Sequence, residues 1–191
     1  MLKPIEVLMV GVGGQGTILA SRILAQAAQE AGYDVKMSEI HGMAQRGGSV
    51  TTQIRLGQKV YSPLIVHGGA DILLAFEKLE ALRLLPYLKK GGTLIVNNQA
   101  IEPVPVLTGA MEYPEDIPGY LQATVPNTLV FDATEIAARC GTVKAANVVL
   151  VGALARRMPI ERPIWEKALA EHVPARLLEV NKAAFAAGYE L

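Results

Sequence analysis

The sequence predicts an α/β fold: a three-layer, open, mostly parallel sheet of Rossmann-like character, with a hairpin insertion and a helical C-terminal third. Three observations favour this class. An apolar run of strand length, Ile5 to Val10, leads into a glycine-rich turn and an amphipathic helix. Strand-like and helix-like segments then alternate, and after Asp132 the pattern becomes helical. The 191 residues fit a single domain spanning 1–191 with its own core.

The first predicted unit is strand, glycine turn, helix and strand, which is half of a nucleotide-binding fold. Its turn is GVGGQG, residues 11–16. A helix is predicted over 18–31, where polar and apolar residues take opposite faces, and Gly32 is expected to cap it. Tyr33 to Glu39 then reads as the second strand.

The next segment interrupts this alternation. His41 to Gly48 has too many glycines for a helix interior and is expected to form a loop. Ser49 to Leu56 alternates and is rich in Thr and Val, which predicts a strand. Gly57-Gln58 is expected to turn this strand into a partner at Lys59 to Tyr61. The resulting hairpin predicts a mixed sheet or a protruding ribbon.

The remaining elements follow from periodicity and from glycine and proline positions. The proline-rich region 102–126 is expected to combine a short edge strand with irregular connections. Buried strands are predicted at Asp71 to Phe76, Thr93 to Val96 and Leu129 to Phe131. Helices are predicted at Glu77 to Leu88, ended by Lys89-Lys90-Gly91-Gly92, and at Ala133 to Cys140, Ala145 to Arg156, Ile164 to His172 and Ala175 to Ala187, with Gly188 as a cap.

Charge and hydropathy exclude two classes of partner. The chain has 18 basic and 18 acidic side chains, and so it lacks the basic excess that binds nucleic acid or an anionic membrane. Its longest stretches without Asp, Glu, Lys or Arg have 15 residues, whereas a membrane-spanning helix needs about 20. The N-terminus has no pattern of a secretory signal, so a cytoplasmic location is expected.

The metal-binding and catalytic residue types are sparse. Cys140 is the single cysteine, so the chain cannot supply the several thiolates of an iron–sulfur cluster or a structural zinc site. The histidines at 41, 67 and 172 are too scattered to predict a metal site. Nucleophile-elbow, Walker and zinc-protease motifs are absent from the sequence. Redox chemistry would therefore need an organic cofactor or another chain.

The glycine turn allows two interpretations. Gly11, Gly13 and Gly16 meet the dinucleotide fingerprint, and Glu39 lies near where a ribose-binding acid would be expected. A helix N-terminus behind such a turn favours a phosphate or the backbone of another chain. The alternative is a tight turn between a strand and a helix that binds no ligand.

The loop from 41 to 48 is the second candidate. It combines the imidazole of His41, the amide of Gln45 and the guanidinium of Arg46 with Gly47 and Gly48. Such a loop can form a pocket for a carboxylate or phosphate, because Arg binds these groups in a bidentate manner. The alternative is a solvated loop with a satisfied histidine.

Three further polar positions follow predicted strands. Glu39, Asn97 and Asp132 fall at strand C-terminal ends, the edge where open α/β sheets bind ligands. Asp132 and the asparagines can equally be helix caps or turn residues.

Taken together, the two glycine motifs resemble the gamma-type subunits of the 2-oxoacid:ferredoxin oxidoreductases, and most closely the beta subunits of the indolepyruvate branch. The stretch HGMAQRGGSV, residues 41–50, is similar to the arylpyruvate branch. Tyr61-Ser62-Pro63 and the segment 144–147 with Gly152 continue the likeness, which covers essentially the whole chain.

The resemblance implies a complex that decarboxylates a 2-oxoacid on thiamine diphosphate, reduces ferredoxin through iron–sulfur clusters and forms an acyl-coenzyme A. It implies that an alpha-type partner subunit holds the thiamine diphosphate, magnesium and iron–sulfur clusters, since this chain lacks a Gly-Asp-Gly signature and has one cysteine. The chain is expected to bind none of these groups, to be inactive alone, and to help form the cleft for coenzyme A or substrate.

Within that resemblance, no residue is predicted with certainty to be catalytic. His41 and Arg46 are supporting candidates, with Arg46 neutralising a substrate carboxylate or a coenzyme A phosphate. Proton transfer by His41 is less favoured, because the thiamine cofactor carries the carbanion chemistry. The residues expected at the cleft are Gly11, Gly13, Gly14, Gln15, Gly16, Gln45, Gly47 and Gly48.

Two other functions remain open at this point. One is a free-standing NAD- or FAD-binding protein that uses the glycine turn and Glu39. The other is a non-catalytic interaction module. If the chain is a subunit, we expect the isolated chain to be able to form a homodimer through the surface that would otherwise contact its partner.

Overall fold

The computed structural model describes residues 2–42 and 47–191. Six strands form one sheet: β1 (Ile5–Val12), β2 (Asp34–His41), β3 (Ser49–Gly57), β4 (Ala70–Ala75), β5 (Leu88–Asn97) and β6 (Thr128–Phe131). Their order across the sheet is β2-β3-β1-β4-β5-β6. The pairs β1–β4, β4–β5 and β5–β6 are parallel, and β3 runs antiparallel to both of its neighbours. The predicted mostly parallel sheet is confirmed.

Eight α-helices accompany the sheet in the described part of the chain. They are α1 (Thr17–Glu30), α2 (Lys78–Leu84), α3 (Val104–Leu107), α4 (Ile117–Thr124), α5 (Ala133–Arg139), α6 (Ala146–Ala155), α7 (Arg162–His172) and α8 (Leu178–Tyr189). Short 3₁₀ turns occupy Leu85–Tyr87, Val143–Ala145 and Ala175–Leu177. The predicted helical C-terminal third is confirmed. None of the helices in the described ranges is long and apolar enough to cross a membrane.

The sheet has an apolar core on each face, since successive side chains of a strand point to opposite sides. Val7 and Met9 of β1 join a core with buried side chains of α1, α5, α6, α7 and α8. Leu8 and Val10 join a second core with α2 and α4. The three layers predicted from the sequence are confirmed.

The predicted hairpin is wrong in its second strand. β3 pairs with β2, not with Lys59 to Tyr61, which lie outside the strands. The Val60 N–H donates to the Asp34 carboxylate at 2.8 Å. It therefore does not form the backbone hydrogen bond to a neighbouring strand that a hairpin would require. β2 and β3 therefore pair with each other, with β2 ending at His41 and β3 beginning at Ser49.

The predicted helix from Glu77 to Leu88 is too long. α2 ends at Leu84, and β5 already begins at Leu88, so the Lys89 to Gly92 segment lies in a strand and does not cap a helix. Pro86 lies in the 3₁₀ turn between them. Proline has no N–H to continue a helix and disfavours helical backbone in the residue before it, which explains the early end.

The proline-rich region also differs from the prediction. Residues 102–126 are all described and contain α3 and α4, with no strand. Pro105 and Pro118 lie in the first turns of these helices, where a missing N–H costs nothing. β6 is the edge strand instead, and its four residues are only partly buried, unlike the predicted buried strand.

Gly188 lies inside α8 and does not cap it, so that prediction is wrong. α6 is buried along nearly its whole length, because it packs between the sheet and α8. A Cβ at Gly188 would collide with the carbonyl oxygen of Val149, and a Cβ at Gly152 would collide with that of Phe185. The two glycines allow the backbones of α6 and α8 to touch.

Candidate functional site

The carboxyl ends of β1, β4 and β5 meet at one edge of the sheet, where a half-open cavity of about 260 Å³ lies. This is the edge at which open α/β sheets bind ligands. A larger and more apolar cavity of about 470 Å³ lies in the helical layer and shares two lining residues with it, Lys144 and Asn147. Gly14, Gln15, Phe76, Asn97, Gln99, Thr134, Val143, Lys144, Ala146, Asn147 and Leu150 line the smaller cavity.

The structure brings the two glycine motifs into direct contact. The Gly13 N–H donates to the Gly48 carbonyl at 2.9 Å, next to the last β1–β3 pair, Val12 with Ser49. The Gly42 N–H donates to the Ser49 carbonyl at 2.9 Å and continues the β2–β3 pairing one residue beyond His41 and Val50. β3 runs antiparallel to β1, so the start of β3 lies beside the end of β1. This pairing places the end of the second motif next to the first motif.

The side chain of Gln15 is bound at both ends. Its Oε1 accepts from the Val12 N–H at 2.7 Å, which closes the glycine turn. Its Nε2 donates to the Phe76 carbonyl at 2.8 Å and to Oε1 of Gln99 at 3.1 Å. Gln15 therefore ties the turn after β1 to the end of β4 and forms part of the cavity wall.

Asn97 continues this amide network from the end of β5. Its side chain is buried, and its Oδ1 accepts from the Ala133 N–H at 2.9 Å. Its Nδ2 donates to the Phe76 carbonyl at 3.1 Å and to Gln99 Oε1 at 3.2 Å. Three strand ends and the start of α5 are thus held together by amide groups at this edge.

The first turn of α1 is fixed from the helical layer. Gly16 has a φ of 80°, the left-handed conformation that glycine adopts most easily. Asn147 of α6 donates from Nδ2 to the Gly16 carbonyl at 3.3 Å, and a Cβ at Gly16 would collide with this amide. Glycine at position 16 thus meets both a conformational and a steric requirement.

This geometry disfavours the dinucleotide interpretation. β3 lies between β1 and β2, which places Glu39 two strand spacings from β1, or about 10 Å. The Glu39 carboxylate contacts the imidazole Nε2 of His41 instead. Within the turn, the N–H groups of Val12, Gly13 and Gln15 already donate to protein acceptors. A pyrophosphate could not use those three groups without breaking bonds.

The other predicted site residues are distributed unevenly. His41 ends the edge strand β2 with about half of its side chain exposed, and it pairs with Val50, which pairs in turn with Gly11. Gly47 is exposed and Gly48 is partly buried. Gln45 and Arg46 lie outside the described residues, so their roles stay predictions. The Asp132 carboxylate accepts from the Glu135 N–H at 2.8 Å, so Asp132 caps the start of α5, as one of the two interpretations of the sequence predicted.

Sequence reasoning missed two groups near the site, the buried Glu80 and the partly buried Gln99. The Ser49 hydroxyl donates to Glu80 of α2 at 2.6 Å, so α2 holds the residue that follows the second glycine motif. Only 5% of Glu80 is exposed. Gln99 accepts from both Gln15 and Asn97, and its position directly after the polar pair 97–98 was the available signal. Glu80 gave no local signal, because the residue it contacts is 31 positions away.

The chain's donor groups do not fit an iron–sulfur cluster or a magnesium site. In the described ranges, no three His, Cys, Asp or Glu side chains lie close enough together to hold a metal ion. Cys140, the single thiol, lines the larger cavity in the helical layer. The His67 ring packs against the Tyr87 ring in a tilted arrangement, with centroids 4.2 Å apart and an interplanar angle of 55°. His172 contacts the Ala168 carbonyl.

Comparison with known proteins agrees with this architecture. The family model for pyruvate ferredoxin/flavodoxin oxidoreductase matches residues 6–191. The chain is 42% identical to the indolepyruvate oxidoreductase subunit IorB of Archaeoglobus fulgidus, covering 97% of this chain and 94% of that one. It is 38% identical to IorB of Thermococcus kodakarensis, covering 98% and 95%.

A solved structure supports the same assignment. The gamma subunit of a keto/oxoacid ferredoxin oxidoreductase from Geobacter sulfurreducens superimposes with a TM-score of 0.73 at 27% identity, covering 97% of this chain and 96% of that one. The length and the fold of the chain are therefore matched by one group of proteins. The chain belongs to the pyruvate ferredoxin/flavodoxin oxidoreductase family and corresponds in full length to its small subunits.

Proposed function

We propose that this chain, as a single domain, is the small subunit of an indolepyruvate ferredoxin oxidoreductase that converts aryl 2-oxoacids to acyl-coenzyme A. The observation that carries the proposal is the full-length similarity to IorB subunits at about 40% identity, well above the 28% to the gamma subunit shared by the Pyrococcus furiosus pyruvate and ketoisovalerate enzymes. The contact between Gly13 and Gly48 adds that both motifs of the resemblance belong to one site.

The proposal divides the chemistry between two chains. An alpha-type partner would hold thiamine diphosphate, magnesium and the iron–sulfur clusters, and ferredoxin would take electrons from the assembled complex. The donor groups of the small subunit support this division, because a lone thiol and dispersed carboxylates cannot hold a cluster. A reducing cytoplasm is the location that suits such a thiol-rich partner.

The site residues would shape the cleft for coenzyme A or the 2-oxoacid. Gln15 and Asn97 build its wall through their internal hydrogen bonds, and Gly14 of the glycine turn is exposed beside them. Arg46 would supply the positive charge, and His41 lies at the end of the neighbouring edge strand. The small subunit thus positions substrate beside chemistry that its partner performs.

The direct test is reconstitution. We expect the chain and its alpha-type partner to co-purify as a stable complex that reduces ferredoxin with indolepyruvate and coenzyme A, whereas the chain alone is inactive. Micromolar or tighter binding of NAD or FAD by the isolated chain would instead support the dinucleotide-binding alternative. A stable complex whose activity does not depend on the small subunit would support the non-catalytic interaction module.

Arg46 gives a sharper prediction inside the active complex. Arg46→Ala should raise the Michaelis constant for coenzyme A or the 2-oxoacid roughly tenfold or more, because a charge-assisted hydrogen bond to an anion is lost. Arg22, an exposed residue of α1, offers a charge-matched control in Arg22→Ala. Unchanged activity and Michaelis constants for Arg46→Ala would exclude the proposed role.

A further inference from the structure

The segment from Ile101 to Tyr113, here called the arm, leaves the sheet after β5 and is pinned at both ends by one buried carboxylate. Glu77 is 1% exposed, and its Oε1 accepts from the Ile101 N–H at 3.2 Å and the Tyr113 hydroxyl at 2.7 Å. Its Oε2 accepts from the Glu80 N–H at 2.9 Å. Burial, with the Glu77 carboxylate, raises the pKa of Tyr113, so this hydroxyl remains a donor.

The arm also has internal order. The N–H groups of Leu107 and Thr108 donate to Pro103 and Val104 carbonyls at 3.1 and 3.0 Å, which closes α3. The N–H groups of Ala110 and Met111 then donate to the Pro105 carbonyl at 2.9 and 3.0 Å. A segment held in this way presents its side chains in a defined arrangement.

What the arm presents is apolar. Val104 is 70% exposed, Leu107 67% and Met111 64%. Tyr120 of the adjoining α4 is 56% exposed. Single exposed apolar residues are ordinary, but several large ones on one ordered segment are typical of a protein interface.

The sequence around the arm is acidic, although Lys78 of α2 places its Nζ 5.7 Å from the ring centroid of Tyr113 at the end of the arm. No Lys or Arg occurs between Lys90 and Arg139, while six acidic residues do. Since the whole chain has 18 of each sign, the rest of it carries 18 basic and 12 acidic side chains. Glu102, Glu112, Glu115, Asp116, Asp132 and Glu135 are the six. Glu135 already pairs with Arg139, which leaves the acidic residues nearest the arm for a partner. A protein that covers this surface is expected to offer basic residues around an apolar recess.

This charge pattern argues against a second copy as the occupant. A twofold contact of arm with arm would place the same acidic groups opposite one another, which costs free energy. A contact of the arm with the basic remainder of another copy would be head-to-tail and would extend into a chain of copies or a ring. A different polypeptide meets the requirement without either consequence.

We propose that the arm is a docking surface for the partner subunit, whose complementary face is an apolar recess bordered by Lys and Arg side chains. This inference rests on the proposed function, which supplies the partner. The arm follows Gln99, whose side chain lines the cavity at the carboxyl edge of the sheet. Docking here therefore places the partner beside the cleft.

The test measures affinity between the full-length chain and the purified partner subunit. The double substitution Leu107→Ser with Met111→Ser should raise the dissociation constant about thirtyfold or more. It removes two apolar side chains that the partner would bury in the complex. Glu112→Lys with Glu115→Lys should weaken binding as well. The affinity of the wild type should fall as salt is raised from about 50 to about 500 mM.

Controls come from exposed residues away from the arm. Val66→Ser, at a residue 72% exposed before the start of β4, removes an apolar side chain at the opposite edge of the sheet. Glu179→Lys reverses a charge on α8, at a side chain 85% exposed. Both should bind like the wild type, and circular dichroism should show all variants folded.

The outcomes separate the two proposals. If the arm variants bind the partner as tightly as the wild type, or no more weakly than the controls, the docking surface is refuted while an active complex still supports the function. If the wild type binds no alpha-type partner, the proposed function fails and the arm proposal fails with it. If the substitutions abolish self-association of the isolated chain in sedimentation but leave the complex unchanged, the arm is a contact between copies and the proposal is wrong.

Discussion

Replacing Gly188 with alanine is expected to lower the free energy of unfolding by about 3 kcal/mol, although alanine is the better helix former by about 1 kcal/mol. The added methyl would overlap the Val149 carbonyl oxygen. The backbone fixes the position of the methyl, and the oxygen is itself a backbone atom, so neither can rotate away. α6 would have to move from α8, and the buried contacts around Phe185 would loosen. For a chain of this size, the melting temperature should fall by roughly 6–12 °C.

A matched pair of substitutions checks the explanation. Gly152→Ala should be similarly costly, because its methyl would meet the Phe185 carbonyl and lie 2.8 Å from the Tyr189 nitrogen. Ala183→Gly, on the exposed face of α8, should cost only about 1 kcal/mol through helix propensity. If Gly188→Ala raised the melting temperature, propensity would outweigh packing and the close approach of the two helices would be wrong.

Gly188 also illustrates what a sequence pattern can and cannot distinguish. Near the end of a helical pattern, a glycine that caps the helix and a glycine that admits a neighbouring backbone look alike, since both are selected for lacking a Cβ. The first helix and the four C-terminal helices were predicted within a few residues, because periodicity is a local signal. Which helix lies against Gly188 depends on the whole fold.

The sheet shows the same division between local and distant information. The alternation from Ser49 correctly predicted β3, but nothing within that segment specifies that it enters between β1 and β2. Because the fingerprint of the glycine turn is local, it remained compatible with a dinucleotide site until the neighbouring strand was known. The pairing of Gly13 with Gly48 disfavours that site, and only the joint resemblance of the two motifs pointed to this contact.

The candidate site was predictable mainly where polarity followed a strand. Asn97 was placed at the carboxyl edge by that rule, and the structure confirms its position. The buried carboxylates Glu77 and Glu80 were not anticipated, since a charged residue at the start of a helix is usually solvated. Their partners, Tyr113 and Ser49, are more than 30 positions away.

Asn97 carries the second large expected effect. Asn97→Ala should lower the free energy of unfolding by about 2–3 kcal/mol, because a buried Ala133 N–H would lose its acceptor. The Phe76 carbonyl would keep its bond from Gln15, so the loss concentrates at the start of α5. Chemical denaturation of the purified chain measures this difference, and ferredoxin reduction by the complex should fall with it, since Asn97 lines the cavity.

The adjacent asparagine is a control of the same chemical type. Asn98 has an exposed side chain, and its backbone N–H to Phe131 carbonyl bond of 2.7 Å survives the change to alanine. Asn98→Ala should therefore stay within about 0.5 kcal/mol of the wild type. Equal losses of stability at positions 97 and 98 would mean that shortening any side chain here causes the effect. The amide network of Asn97 would then not be its cause.

The conservative variant Asn97→Asp separates the two halves of the network. Aspartate keeps an oxygen for the Ala133 N–H but replaces the Nδ2 donor with a second oxygen, facing the Phe76 carbonyl and Gln99 Oε1. Placing a carboxylate against two acceptors is expected to cost at least as much as alanine at neutral pH. Protonating the carboxyl restores one donor, so the deficit should shrink as pH falls. If Asn97→Asp were as stable as the wild type at neutral pH, the contact with Ala133 alone would hold this edge of the sheet.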